Sequence, residues 1–225
     1  MSIQENLNEI RANIASACEK SGRNPEDVTI LAVTKTIDAD RINEAVALGL
    51  CDLGENRVQE LIGKYDAIKG DVRWHLIGHL QKNKVKYIAD KVCMIHSVES
   101  YSLMEEIEKQ CSKIDKVMDI LIEVNVSGEE SKSGVEPHEV LSYVTKAASY
   151  PHIRVKGLMT MAPFDAKNDE LHQIFSKLYE ISVDISSKKL DNVSMEHLSM
   201  GMTNDYAVAV EENSTIVRVG TGLFK

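Results

Sequence analysis

The sequence is short of cysteine. Cys18, Cys51, Cys93 and Cys111 are the only four in 225 residues, and no two form a C-x-x-C pair. Isolated thiols in a chain of this length predict reduced, mostly buried side chains in a cytoplasmic protein, not a disulfide framework. Positive charge is also in deficit: 26 Lys and Arg stand against 35 Asp and Glu, a formal net charge of -9. That balance argues against general affinity for nucleic acid or an anionic membrane, while leaving room for one small anion in a local pocket. No apolar run is long enough to span a bilayer. The opening MSIQENLNEI is acidic and amphipathic, so no secretory signal is expected. There is no linker, fixed-period repeat or low-complexity stretch, which predicts one domain over residues 1–225. H-E-x-x-H is absent too. His75 and His79 are four apart, but Leu76 follows His75 in a strand-like stretch, so both are expected to be structural or rim histidines and no metal site is expected.

What is present is alternation. Hydrophobic residues make up 43% and charged residues 27%, ordinary for a globular chain. A capping box at Ser2 and Glu5 opens an amphipathic helix over 3–20, with Gly22 placed to stop it. Eight strand-like runs follow: VTILAVTK (28–35), CDLG, RWHLIG, VCMIHSV, VMDILIEVNV, IRVKGLMTM, VSMEHLSM and TIVRVG. Helical patterns separate them at about 38–49, 57–69, 83–90, 100–115, 137–149 and 168–187, with a short one from Asn204. Continuously apolar strands between helices predict a parallel sheet covered on its outer face. Eight units predict an α/β fold of the (β/α)8 barrel type with an additional N-terminal helix. An open doubly wound sheet is the alternative, but no G-x-G-x-x-G follows the first run. With Lys225 directly after the eighth strand, the final barrel helix is expected to be missing and the N-terminal helix to fill its place. Met159, Met161, Met195 and Met200 are expected to fill the barrel.

The C-terminal ends of barrel strands are where such folds carry chemistry. After the seventh strand the chain reads SMGMTND (199–205), after the eighth RVGTG (218–222). Their small residues let backbone N–H groups approach an anion, and the first segment opens a helix whose N-terminus favours negative charge. Lys35 ends the first strand on the same rim. Partial desolvation there is expected to lower its pKa toward the neutral amine, which can attack an aldehyde and form a Schiff base. An aldehyde that carries a phosphate is either pyridoxal 5'-phosphate or a sugar phosphate. Arg218 lies two residues before Gly220 on the same face. Opposite a pyridine nitrogen, its permanent charge would keep the nitrogen unprotonated and the ring a poor electron sink. The alternative for Arg218 is a structural salt bridge in the barrel mouth.

The motifs AVTKT, LGENRVQE, WHLIGHLQKNK, VNVSGEESKSG, GLMTMAP and LSMGMTNDYAVAVEENSTIVRVGTGLF span residues 32–224. Together they resemble the pyridoxal phosphate homeostasis protein family, single-domain relatives of the barrel domain of alanine racemase. The resemblance implies pyridoxal phosphate held as a Schiff base on Lys35, with Ser199, Gly201 and the backbone of Gly220 and Thr221 at the phosphate. It also implies Arg218 at the ring nitrogen and Asn56 near the ring hydroxyl. Three positions depart from the family pattern: Thr203 where serine is common, Asn213 where glycine is common and Gly222 where alanine is common. Asn tolerates positive φ, so Asn213 is expected to keep its turn. The implied function is intracellular homeostasis of pyridoxal phosphate with no catalytic residues and little turnover. Partners would be the cofactor and pyridoxal-phosphate-dependent apoenzymes, in a cytoplasmic monomer or weak dimer. A racemase-like enzyme is the first alternative, though racemisation of this kind uses a second base from an additional β-domain for which the chain shows no room. A cofactor-free Schiff-base aldolase is the other. Lys132 is a candidate rim contact or a solvated loop residue, and Lys82, Lys84 and Lys86 read as a solvated helix face.

Overall fold

Ser2 caps the first helix as its spacing from Glu5 predicts. Its hydroxyl accepts the Glu5 amide at 3.2 Å and the Glu5 carboxylate accepts the Ser2 amide at 2.8 Å. Helix α1 then runs Ile3–Ser21, until Gly22 turns left-handed at φ 69°. The computed structural model describes residues 2–129 and 133–225. Beyond α1 the order is β1 (Thr29–Val33), α2 (Ala39–Ala47), β2 (Asp52–Glu55), α3 (Val58–Tyr65), β3 (Arg73–Leu76), β4 (Val92–Val98), α4 (Tyr101–Ser112), β5 (Met118–Glu123), α5 (Val140–Ala148), β6 (Ile153–Met159), α6 (Asn168–Ser187), β7 (Val193–Met202), α7 (Tyr206–Glu211), β8 (Ile216–Val219) and α8 (Thr221–Phe224). The strands pair in parallel and in sequence order, and β8 returns to β1 with Ala32 opposite Val219. The closed eight-stranded barrel and its preceding helix are those expected from the alternation.

Side chains alternate across each strand and so divide the apolar residues into two cores. Ala32, Leu53, Leu76, Ile95, Ile120, Leu158, Leu198 and Val217 belong to the large core between sheet and helices. Leu31, Val33, Ile77, Met94, Leu121, Met159 and Ile216 form a separate cluster inside the barrel. Of the four methionines expected to fill the barrel, only Met159 does so. Met200 and Met195 pack in the outer core, and Met161 is exposed beyond the end of β6. Their parity is the reason: Met200 is one residue out of phase with Ser199 and faces the helices.

Three boundaries differ from expectation. Between β3 and β4 there is a 3-10 helix, Lys82–Tyr87, where an α-helix over 83–90 was expected. Tighter winding suits this short connection, and within it Lys84 and Lys86 lie over the Tyr87 ring. The place after β8 holds the four-residue α8, and α1 packs against it and α7. Asn6 Nδ2 donates to the carbonyls of Leu223 and Lys225, both at 2.9 Å, and Asn13 Nδ2 to Tyr206 Oη at 2.9 Å. The additional helix thus braces the β7 and β8 ends. Finally, β1 stops two residues before Lys35.

Candidate functional site

Lys35 sits in a turn, not in the strand: Ile37 N donates to Thr34 O at 3.0 Å, and Thr36 is left-handed at φ 64°. The turn leaves Lys35 exposed, so the partial desolvation expected of its amine is absent. The backbone on both sides of it is tied down. Thr34 is fully buried; its amide donates to Gly54 O at 3.0 Å and its hydroxyl to Glu55 Oε1 at 2.7 Å. Lys64 Nζ donates to Thr34 O at 2.8 Å and to Glu55 Oε1 at 2.7 Å, while Thr36 N donates to Glu60 Oε2 at 3.1 Å. A mobile four-carbon side chain therefore projects from a backbone clamped to β2 and α3.

Asn56 follows β2 on the face of Gly54. Gly78 presses on it from the end of β3, where a Cβ would stand 2.4 Å from Asn56 O. Asn56 Oδ1 is buried without a hydrogen-bond partner. A buried acceptor left unpaired costs free energy unless a ligand or water meets it.

Two loops close the other side of the mouth. Gly201 is at φ 91°, and a Cβ there would come within 2.6 Å of Ala209 Cβ and 2.8 Å of Tyr206 Cα. Only glycine lets α7 approach the end of β7 so closely. The helix N-terminus expected to attract an anion differs from expectation. Helix α7 has six residues, and the buried Asp205 carboxylate just before it already accepts the Met202 amide. Burial raises the Asp205 pKa, against that hydrogen bond and the Arg218 charge. Thr203 is the residue that joins the loops: its Oγ1 accepts Gly222 N at 3.2 Å and lies 3.3 Å from Thr221 Oγ1. Gly220 lies against Val33, where a Cβ would be 3.3 Å from the valine Cβ, so the β8 loop abuts the strand leading to Lys35. Asn213 keeps its turn at φ 71°, as expected.

Arg218 lies below these loops, only 4% exposed. Its Nη1 donates to Ser199 O at 2.6 Å and to Ser199 Oγ at 2.7 Å, and its Nη2 to Thr160 O at 2.9 Å. Burial draws its pKa down to about 10 although Asp205 and Glu123 push it up, so the guanidinium remains charged at neutral pH. Ser199 is wholly buried, and its hydroxyl is engaged by Arg218 and by His96 Nδ1 at 3.0 Å. That geometry gives the Ser199 side chain to the arginine, one layer below the loops where a phosphate contact was expected. Burial, reinforced by Glu99 and opposed by Arg218, pushes Glu123 up to about 7.

Thus Lys35, Asn56, Gly201, Arg218, Gly220 and Thr221 gather at one end of the barrel. His75 points into the barrel, and His79 pairs on the rim with Glu99 at 2.8 Å. Lys132 lies outside the described residues. Thr203, His96, Thr160 and Glu123 were not singled out from the sequence as site residues. For Glu123 a signal existed: an ionisable residue closes the apolar run MDILIE, as Lys35 follows the run ILAVT.

The alanine racemase N-terminal domain family matches residues 6–225. A pyridoxal phosphate homeostasis protein from Aquifex aeolicus is 43% identical over 100% of this chain and 98% of its own length. The chain belongs to the pyridoxal phosphate homeostasis protein family. Another member, from Pseudomonas aeruginosa, is 36% identical over 99% of this chain and 94% of its own. Among solved structures, PipY of Synechococcus elongatus with PLP bound superposes at a TM-score of 0.87 with 29% identity, covering 100% of both chains. The alanine racemase of Clostridium difficile 630 shares the fold alone, at a TM-score of 0.72 and 16% identity. It matches 99% of this chain and 56% of that one.

Proposed function

We propose that this chain binds pyridoxal 5'-phosphate at the barrel mouth, covalently and reversibly through Lys35, and takes part in the intracellular homeostasis of that cofactor with little or no turnover. The observation that carries the reading is the exposed Lys35 amine on a clamped turn, set on one rim with the Thr203 and Gly220–Gly222 loops. The residues fit the group. Asn56 Oδ1 is an orphaned acceptor at the mouth, the β7 and β8 loops offer hydroxyls and small-residue backbone, and Arg218 supplies a buried cation. When bound, the cofactor supplies an aldehyde that condenses with an amine and a ring that can spread negative charge. Lys35 provides the amine, Gly201, Thr203, Gly220 and Thr221 hold the phosphate, and Ser199 supports Arg218 from beneath. Arg218 donates only, so it offers hydrogen bonds to a bare ring nitrogen and repels a protonated one. That disfavours the electron sink on which amino-acid chemistry depends. The recipients of the cofactor would be pyridoxal-phosphate-dependent apoenzymes in the cytoplasm, served by a monomer or weak dimer.

Borohydride reduction of protein loaded with pyridoxal phosphate, followed by intact mass and peptide mapping, tests the reading. One phosphopyridoxyl group on Lys35 is expected, and a label found only on other lysines would overturn the assignment. A racemase-like activity is the second reading, favoured by Glu123, a buried carboxyl near neutrality beside Arg218. Racemisation or transamination of amino acids at about 1 per second or faster would decide for it.

A further inference from the structure

A string of five side chains crosses the inside of the barrel from floor to mouth. At the floor, Asp52 accepts both Nε and Nη2 of Arg73, and its Oδ1 lies 3.1 Å from His75 Nε2. His75 Nδ1 lies 3.0 Å from His96 Nε2, and His96 Nδ1 lies 3.0 Å from Ser199 Oγ. Ser199 Oγ in turn accepts Arg218 Nη1 at 2.7 Å. The two imidazoles meet edge to face, with planes at 79° and centroids 5.1 Å apart. The string comes from β2, β3, β4, β7 and β8, and its least buried member, Asp52, is 8% exposed.

Because these groups are sealed from solvent, each donor has to find its acceptor within the string. Asp52 fixes one end. Burial alone would raise its pKa, but hydrogen bonds from His75 and Arg73 outweigh that and hold it at about 2. An ionised carboxylate only accepts, so His75 Nε2 carries the proton. With neutral rings, the bare His75 Nδ1 has to accept from His96 Nε2–H. The bare His96 Nδ1 then has to accept from the Ser199 hydroxyl, which leaves the oxygen lone pairs of Ser199 for Arg218. No other assignment with neutral rings gives every contact one donor and one acceptor. The neutrality of His96 fits its complete burial, which, with the Arg218 charge nearby, holds its pKa well below the usual value. Cys93 Sγ lies 3.4 Å from His75 Nε2 but donates to Trp74 O at 3.2 Å. Burial pushes that thiol up to about 12, so it does not replace Asp52 as the charged acceptor.

We propose that Asp52, His75, His96 and Ser199 form a one-way hydrogen-bond relay that positions Arg218. The floor carboxylate locks the tautomer of both imidazoles, and through them the direction of the Ser199 hydroxyl beneath the guanidinium. These four are positioning residues, acting at the mouth through Arg218. The relay stands on the geometry of the chain by itself; its consequence for cofactor binding rests on the site proposed above.

Long-range proton–nitrogen NMR spectra of the imidazoles, taken on the full cofactor-free chain near neutral pH, test the relay directly. Both His75 and His96 are expected as Nε2–H tautomers. A His96 bearing its proton on Nδ1, or a doubly protonated His75, would overturn it. In Asp52→Ala the His96 ring signals should move although Asp52 does not touch His96, and unmoved signals would refute the coupling. Should that variant fail to fold, Ser199→Ala reads the string from its other end, where the His75 ring signals should move and unmoved ones count against it. Pyridoxal phosphate titration should find Asp52→Ala weaker by roughly threefold to tenfold, the scale of one hydrogen bond. Equal affinity would overturn the positioning role. A wild type that takes no pyridoxal phosphate would refute the cofactor site and leave the tautomer result standing.

Discussion

Lys35 and Arg218 are cations of the same barrel end, and the chain handles them in opposite ways. Around Lys35 the backbone is fixed by Gly54, Lys64 and Glu60 while the side chain stands in solvent. At Arg218 the side chain itself is fixed, by two backbone carbonyls and a serine hydroxyl, and solvent is excluded. The difference teaches what each position can do. An exposed amine on a rigid turn can reach and release a small molecule without the barrel moving. A buried guanidinium cannot move or lose its charge at neutral pH, so it sets a fixed electrostatic condition on whatever occupies the mouth.

Exchanging each cation for an uncharged residue should separate the two roles. Lys35→Ala should abolish the borohydride-fixed label altogether. Unfolding free energy should change by no more than about 0.5 kcal/mol, as for a surface substitution. A large fall in melting temperature would mean that Lys35 has a structural partner, and the contrast with Arg218 would collapse. Arg218→Met should do the reverse. It removes the positive neighbour of Asp205 and Glu123 and leaves Ser199 and Thr160 without their donor, a loss of about 3–5 kcal/mol. In a domain of this size that is a fall of roughly 10 °C in Tm. Differential scanning calorimetry without cofactor would show it, and a Tm within a degree or two of wild type would sink the idea of a structurally committed arginine.

Glu123 sharpens the comparison through pH. Its pKa rises from 4.5 to about 7, chiefly by burial, then by Glu99, with Arg218 opposing. A carboxyl whose folded pKa is raised contributes stability that is complete below its unfolded pKa and is lost as pH climbs through the folded value. The loss is about 3 kcal/mol between pH 4.5 and somewhat above 7. Glu123→Gln has no proton to lose, so its unfolding free energy in urea should fall less than that of wild type between pH 5 and 8. Equal declines would show that Glu123 is better solvated or better paired than its burial implies. Asp52 does not confuse the measurement. Its pKa is lowered to about 2, so its contribution is present above about 3.8 and fades only as pH drops toward 2.

Much of this architecture was legible in the sequence because it rests on periodicity. Apolar strands alternating with amphipathic helices give eight units, and the eight C-terminal strand ends then have to share one rim, which places Lys35 beside the β8 loop. What the sequence hid was depth along the barrel axis. Ser199 and Gly201 share a face on paper, but one is sealed beneath the guanidinium and the other lies where β7 meets α7. Lys35 read as the end of a strand because nothing in TKTID announces a left-handed threonine, and its exposure follows from that turn. His75, His96 and Asp52 are far apart in sequence, so the register of three strands had to be known before they formed a string.

The smallest expected effect lies in the loops over the guanidinium, where Thr203 and Gly222 meet. A Cβ on Gly222 would lie 2.7 Å from Thr203 Cγ2. The Thr203 methyl takes the space that an alanine at 222 would need, so the two residues fit each other. Gly222→Ala alone should be destabilising by about 1–3 kcal/mol through overpacking, reduced to the extent that Thr203 can turn away and give up its bond from Gly222 N. Thr203→Ser alone keeps the hydroxyl and should cost less than about 1.5 kcal/mol, the scale of a single lost methyl. Together they should recover most of the loss, giving a coupling energy of about 1 kcal/mol or more in a double-mutant cycle. The same four proteins titrated with pyridoxal phosphate would show whether the loop geometry matters to binding as well as to packing. Gly222→Ala should weaken binding in the threonine background and leave it nearly unchanged in the serine one. Additive stabilities across the cycle would mean that the two loops adjust independently, and the rim would then be softer than the layer that holds Arg218.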